Sequence, residues 1–127
     1  MESNPVVWFE IYVNDIERAK KFYETVLAVE LAKLVTPSEV SDIEMWSFPA
    51  SPEGFGAAGT ICKMPGFEAG KNSVMVYFGC EDCEVEAGRV DAAGGKLHAP
   101  KMAIGQYGFV AHAYDTEGNL FGLHSMK

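Results

Sequence analysis

Residues 6–34 and residues 72–100 share one pattern of apolar and polar positions. Each segment opens with an alternating stretch, VVWFEIYV in the first and SVMVYFG in the second, and alternation of this kind places successive side chains on opposite faces of a strand. Asp15 and Asp82 follow at the same point, where a short acceptor side chain caps a helix N-terminus. The repeat therefore predicts two copies of one module that begins with a strand and a capped helix.

The helical spacing of apolar residues after Asp15 predicts a helix from Ile16 to about Ala28, then a strand over 29–35 that ends before Pro37. The second copy predicts a weaker helix over 83–93, because Gly88 inside it costs about 1 kcal/mol relative to Ala.

Each copy then continues with further strands, so that the predicted order is βαβββ twice. Gly94-Gly95 ends the second helix and a strand restarts at 96–99. We therefore predict an α+β fold in a single domain spanning 1–127, with modules at about 5–64 and 72–126. The last two strands of each module are expected at 43–48, 56–63, 107–114 and 119–125.

Composition narrows the class of protein. The chain has 127 residues and a net charge of −8, and an acidic chain repels nucleic-acid phosphates. No apolar run approaches the ~20 residues of a membrane span, and the N-terminus lacks the basic and apolar segments of a signal peptide. Three cysteines give no disulfide framework. We expect a soluble cytoplasmic protein with no nucleic-acid or membrane partner.

Three segments in order, NDIERAKKFYETVL, AAGGK and DTEGNLFGLH, resemble the vicinal oxygen chelate superfamily. That group includes glyoxalase I, bleomycin and fosfomycin resistance proteins, and extradiol dioxygenases. The resemblance covers nearly the whole chain. It implies that the two modules curl into a half-open barrel around a cavity, with the helices outside, and that the protein pairs as a homodimer.

The same resemblance implies a divalent metal held by His, Gln or Glu on the first and last strands of each module. Carried onto this chain, those positions are Trp8, Met75, Gly122 and a less certain one within 58–60. None holds a usual metal ligand, so a metal-free cavity with no cofactor is predicted.

A displaced metal site is the alternative. If Tyr114 faces Leu120 across the last hairpin, His112 lies opposite Gly122, but a slip of one residue would turn His112 outward. The residues that could then form the site are Glu10, Glu44, His112 and His124.

The inward faces of the two equivalent strands carry large aromatic and apolar side chains. These either fill the barrel or form the walls of a ligand pocket, and a nearby carboxylate favours the pocket because burying it in a dry core is costly. The candidate ligand-binding residues are Trp8, Tyr12, Met75, Tyr77 and Trp46.

Glu10 is the candidate general base, since burial among aromatic residues would raise its pKa. His124 or His112 could act as the partner acid, and the alternative for each is a structural hydrogen bond. His98 precedes Pro100 closely and is expected at the surface.

Two further motifs carry little weight. Cys80-x-x-Cys83 lies among acidic residues that raise thiol pKa values, which disfavours a redox role. GFGAAG lacks the Lys-Ser/Thr ending of a phosphate-binding loop.

Two functions of different class remain. One is a metal-free small-molecule-binding or resistance-type protein that sequesters an aromatic or amphipathic ligand in the cavity. The other is a lyase- or isomerase-type, glyoxalase-like enzyme that uses a displaced metal or a Glu/His pair.

Overall fold

A computed structural model describes residues 4–36, 42–116 and 118–127. Within these residues the chain forms one eight-stranded sheet and two α-helices, which confirms the predicted α+β architecture. The elements are β1 (Val6–Tyr12), α1 (Ile16–Leu27), β2 (Ala32–Leu34), β3 (Glu44–Ser47), β4 (Ala58–Lys63), β5 (Val74–Gly79), α2 (Cys83–Ala87), β6 (Lys96–Ala103), β7 (Phe109–Tyr114) and β8 (Leu120–Ser125).

The two modules lie side by side in the sheet, whose strand order is β2-β3-β4-β1-β5-β8-β7-β6. The first strands of the modules, β1 and β5, pair antiparallel at the centre. Each also pairs in parallel with the last strand of its own module, β1 with β4 and β5 with β8. The centre of the sheet is thus built from the first and last strands of both modules, where the resemblance implies the functional side chains.

Helix α1 begins and ends where the sequence predicts. The carboxylate of Asp15 accepts a hydrogen bond from the backbone N–H of Arg18 at 3.0 Å, as an N-cap does. Ala28 closes the helix in the left-handed conformation at φ 54°. Ile16 packs with buried Leu31 and Ile61 between α1 and the sheet.

The second helix is shorter than predicted. Asp82 caps it as expected, accepting from the N–H of Glu84 at 3.1 Å, but α2 ends at Ala87 rather than near Ala93. Gly88 takes the C-cap position, and residues 88–94 continue as turns. The low helix propensity of Gly88 ends the helix at this point. A helix of five residues makes too few packing contacts to compensate for the cost of a glycine within it.

Most strands differ from their predicted bounds by one or two residues, and two differ by more. β2 covers Ala32–Leu34 instead of 29–35, and Pro37 lies outside the described residues. β6 extends to Ala103 and passes through Pro100. β6 is an edge strand, so Pro100 can lie in it without removing a backbone hydrogen bond that the sheet needs. The pairing of β6 with β7 is also irregular around this residue.

Packing separates the two faces of the sheet. α1 and α2 cover the outer face with two apolar clusters, centred on Ile61 and on Ala111. A third cluster, which includes Tyr12, Met45 and Met75, lies on the inner face. No helix in the described part of the chain is long and apolar enough to cross a membrane.

Candidate functional site

The inner face of the sheet surrounds a cavity of about 1090 Å³. A volume of this size is in the upper range of small-molecule pockets. The cavity brings together seven of the eight predicted site residues, which are Trp8, Glu10, Tyr12, Met75, Tyr77, His112 and His124.

Strands β1 and β5 provide the floor of the cavity. Alternation along β1 turns Trp8, Glu10 and Tyr12 to the same face. The antiparallel register with β5 then sets Trp8 opposite Tyr77 and Glu10 opposite Met75. The two strands therefore place one carboxylate among three aromatic side chains.

Glu10 is the centre of a hydrogen-bond network. Its Oε1 accepts from the Tyr12 hydroxyl at 2.7 Å and from the Tyr77 hydroxyl at 3.3 Å. Its Oε2 accepts from the Trp8 indole N–H at 3.1 Å. Glu10 is only 7% exposed, so these donors take the place of the water that would otherwise solvate its carboxylate.

Burial controls the protonation behaviour of this network. Burial raises the pKa of Glu10 above its ordinary value, and the hydrogen bonds from Tyr12, Trp8 and Tyr77 oppose the rise. Burial and the nearby Glu10 also raise the pKa values of Tyr12 and Tyr77. Both phenols therefore stay protonated and act as donors at neutral pH.

Tyr77 connects Glu10 to His112. The Tyr77 hydroxyl lies 3.0 Å from His112 Nε2. His112 faces inward because Tyr114 pairs with Leu120 and His112 with Gly122, which confirms the predicted register of the last hairpin. Burial, with repulsion from His98 second, lowers the pKa of His112, so its imidazole is neutral at neutral pH.

His124 is engaged elsewhere in the cavity wall. Its Nε2 lies 2.6 Å from the backbone carbonyl oxygen of Tyr107. A carbonyl can only accept, so this nitrogen carries the proton and donates. The proposed structural role fits this contact better than partnership with Glu10.

Trp46 and Glu44 were expected on the inner face, and this placement was wrong. Met45 between them points into the cavity, so alternation along β3 turns both neighbours outward. The Trp46 indole donates to Glu44 at 2.9 Å, and Lys20 of α1 lies 4.0 Å from the centre of its ring. Trp46 therefore belongs to the packing of α1.

The positions that hold metal in the superfamily do not suit a metal here. Two of these positions hold Trp8 and Met75, and neither is a usual metal ligand. The third holds Gly122, which has no side chain and packs against the Tyr77 ring, so that a β-carbon there would overlap the ring. In module two, Tyr77 pairs with Gly122. The equivalent residue of module one, Glu10, pairs with Thr60, so Thr60 is the fourth position.

No group of three or more His, Cys, Asp or Glu side chains among residues 4–36, 42–116 and 118–127 is arranged to hold a metal ion. The alternative, displaced metal site is also incomplete, because Glu44 lies on the outer face of the sheet. The residues present do not fit the metal that the resemblance implies.

The sequence predicted Met75 in the cavity but not the other four methionines that line it. Every methionine in the described part of the chain lines it, at positions 45, 64, 75, 102 and 126. Phe67 also reaches it, with its ring centre 4.9 Å from that of Tyr12. No local pattern signals these additional residues, because they come from separate strands and loops.

The remaining candidates lie at the edges of the site. His98 is exposed as predicted, although its ring contacts that of Tyr114 and borders the cavity. Burial and nearby acidic groups raise the pKa of the Cys80 thiol to about 11, which supports the argument against a redox role.

Comparison with known proteins agrees with the observed fold. A family model described as bleomycin resistance protein-like N-terminal matches residues 6–35. No curated protein matches the chain significantly. The family-model match confirms the resemblance for residues 6–35, and solved structures share the fold over nearly the whole chain.

The chain has the vicinal oxygen chelate fold. A Streptomyces coelicolor methylmalonyl-CoA epimerase variant in complex with 2-nitronate-propionyl-CoA shares it with a TM-score of 0.66 at 14% identity, over 96% of this chain and 94% of that one. The epimerase from Mycobacterium tuberculosis gives 0.68 at 14% identity, over 97% and 88%. A hypothetical protein from Bacillus halodurans gives 0.71 at 16% identity, over 99% and 96%.

Proposed function

We propose that this protein is a metal-free binding protein that sequesters an aromatic or amphipathic small molecule in its cavity. The observation that carries the proposal is the cavity itself, which is large and has mainly apolar walls. Trp8, Met75, Thr60 and Gly122 stand where metal-dependent relatives need ligands. A pocket of this kind binds by burying apolar ligand surface.

The state of Glu10 favours binding over catalysis. A carboxylate has about four lone-pair positions, and protein donors occupy three of them here. A general base needs a free lone pair that reaches the substrate proton. Three donors leave Glu10 a single lone pair and hold its side chain in place, which suits a fixed polar group better than a general base.

Fluorescence of Trp8 tests ligand binding directly. In a Trp46→Phe background Trp8 is the remaining indole, and the neutral probe N-phenyl-1-naphthylamine should quench it in a saturable way. In the matched Trp8→Phe protein, Trp46 lies on the outer face and should show little quenching. Equal quenching of both variants, or of neither, would contradict binding in the cavity.

A second candidate function is an isomerase- or lyase-type enzyme. The observation that favours it is the hydrogen-bond chain from Glu10 through the Tyr77 hydroxyl to His112. Such a chain joins a carboxylate to an imidazole, the two groups that most often transfer protons in enzymes. The structural neighbours include methylmalonyl-CoA epimerases, which makes epimerisation of an acyl-CoA the first reaction to try.

Substitution of Glu10 by Gln separates the two functions. In the enzyme it should abolish solvent deuterium exchange into methylmalonyl-CoA, followed by NMR. In the binding protein the wild type shows no exchange, and the affinity for the neutral probe stays within a few fold after the substitution. The homodimer and the absence of a cofactor remain predictions that accompany the first function.

A further inference from the structure

The described part of the cavity wall contains carboxylates but no lysine or arginine. Among the described residues that line the cavity there is no Lys or Arg, whereas Glu10 lies at its floor and Glu30 at its rim. The residues outside the described ranges contain no Lys or Arg either, and the chain carries a net charge of −8. An anionic ligand would meet no lysine or arginine side chain in this cavity.

When Glu10 is ionised, its charge is hydrogen-bonded but not neutralised. Its three donors, Trp8, Tyr12 and Tyr77, are neutral groups. The surroundings are buried and apolar, so the field of the carboxylate is weakly screened and reaches into the cavity. The same three side chains supply aromatic rings, which attract cations through their π faces.

We propose that the cavity selects lipophilic organic monocations, such as quaternary ammonium or phosphonium ions. This inference rests on the proposed binding function and adds the charge and class of the ligand. The apolar body of the ligand is buried against the walls, the aromatic side chains interact with the cation, and Glu10 supplies the opposite charge.

The five methionines extend the range of ligands. A thioether side chain is unbranched, polarisable and flexible, so a wall made of several such side chains adapts to different shapes. They approach the cavity from β3, β5, β6, the segment after β4 and the C-terminal end. The cavity therefore selects ligands by their charge rather than by their shape.

Tetraphenylphosphonium and tetraphenylborate provide the test, because they have nearly the same size and shape and opposite charges. Calorimetry with wild-type protein should give at least tenfold tighter binding of the phosphonium ion. Glu10→Gln should reduce that preference at least tenfold. Glu44→Gln is the matched control, since it alters the other Glu–Trp hydrogen bond on the outer face and should leave the preference unchanged.

A proton count on wild-type protein provides a second test should Glu10→Gln fail to fold. A bound cation favours ionised Glu10, so at a pH where Glu10 is still partly protonated, phosphonium binding should release protons, measured in buffers of different ionisation enthalpy. The titratable groups that face Glu10 are Tyr12, Tyr77 and Cys62, with His112 behind Tyr77. Raised pKa values keep the first three protonated and a lowered pKa keeps His112 neutral, which leaves Glu10 as the proton source.

The outcomes are distinct. Equal or tighter binding of tetraphenylborate, or a preference unchanged by Glu10→Gln, overturns the inference and leaves the binding function standing. Absence of binding by both ions and by the neutral probe overturns the binding function itself. Phosphonium preference with proton release, lost in Glu10→Gln and retained in Glu44→Gln, supports both.

Discussion

Glu10 and Tyr77 occupy the same position in the two modules, 67 residues apart, and the Tyr77 hydroxyl donates to Glu10 Oε1 at 3.3 Å. The antiparallel pairing of β1 and β5 brings these positions together at the centre of the sheet. The repeat thus places a carboxylate in one copy and a phenol in the other, and the two form a hydrogen bond across the boundary between modules.

Replacement of Gly122 by Ala should disrupt this pair without touching either residue. The new β-carbon would overlap the Tyr77 ring, so the ring must move and its bonds to Glu10 and His112 weaken. Overpacking of this kind costs about 1–3 kcal/mol, measurable by urea unfolding.

Gly88→Ala is the control for that substitution. A β-carbon there would lie 3.4 Å from its nearest neighbours, and Gly88 has an ordinary right-handed conformation. The free energy of unfolding should change by less than about 1 kcal/mol. Equal effects of the two alanines would show that Gly122 is not needed for the Tyr77 packing.

The pH dependence of stability should report the raised pKa of Glu10. Folding then favours protonated Glu10, so this contribution is fully present below the ordinary value of 4.5 and is lost as pH rises through the folded-state pKa. Each pKa unit corresponds to about 1.4 kcal/mol.

The measurement is urea unfolding of wild type and Glu10→Gln at a series of pH values. Wild-type stability should fall relative to the variant as pH rises from 4.5 through the folded-state pKa, and then level off. A difference that stays constant, or rises with pH, would mean that the hydrogen bonds outweigh burial.

His112 should titrate below its ordinary pKa of 6.5, because burial disfavours the imidazolium. NMR of the imidazole protons would follow it. His98→Gln removes the second, smaller cause, so the midpoint should move upward while remaining below 6.5. A midpoint above 6.5 in the wild type would show that His112 is hydrated or paired with an anion.

Metal retention tests the fit of the four superfamily positions. After incubation with zinc, nickel, manganese or iron(II) and desalting, untagged protein should retain far less than one equivalent by elemental analysis. Trp8, Met75, Thr60 and Gly122 provide no imidazole, carboxylate or thiolate ligand of the kind that such ions need. Stoichiometric retention lost in His112→Ala would instead support a displaced site.

Much of the fold could be predicted because it depends on local patterns. Alternation in β1 and β5 and the two capping aspartates are each visible within a short window. The same alternation placed Glu10 and Tyr77 on the inner face. The hairpin register was also correct, since the turn before β8 determines which residues face His112.

The incorrect predictions concern features that depend on tertiary structure. Trp46 and Glu44 sit on a four-residue strand whose facing depends on pairing with β4, and short strands carry too few alternations to settle it. The end of α2 depended on the balance between propensity and packing around Gly88. The methionine lining could not be predicted because it depends on the curvature of the whole sheet around the cavity.

The pairing of Glu10 with Tyr77 bears on how such a chain can arise. In an assembly of two identical half-length chains, symmetry would set two carboxylates or two phenols against each other at that point, and two buried carboxylates would repel. Joining the copies in one polypeptide breaks that symmetry and lets each half mutate alone. The centre of this protein thus holds a combination of side chains that a symmetric pair of identical half-length chains could not hold.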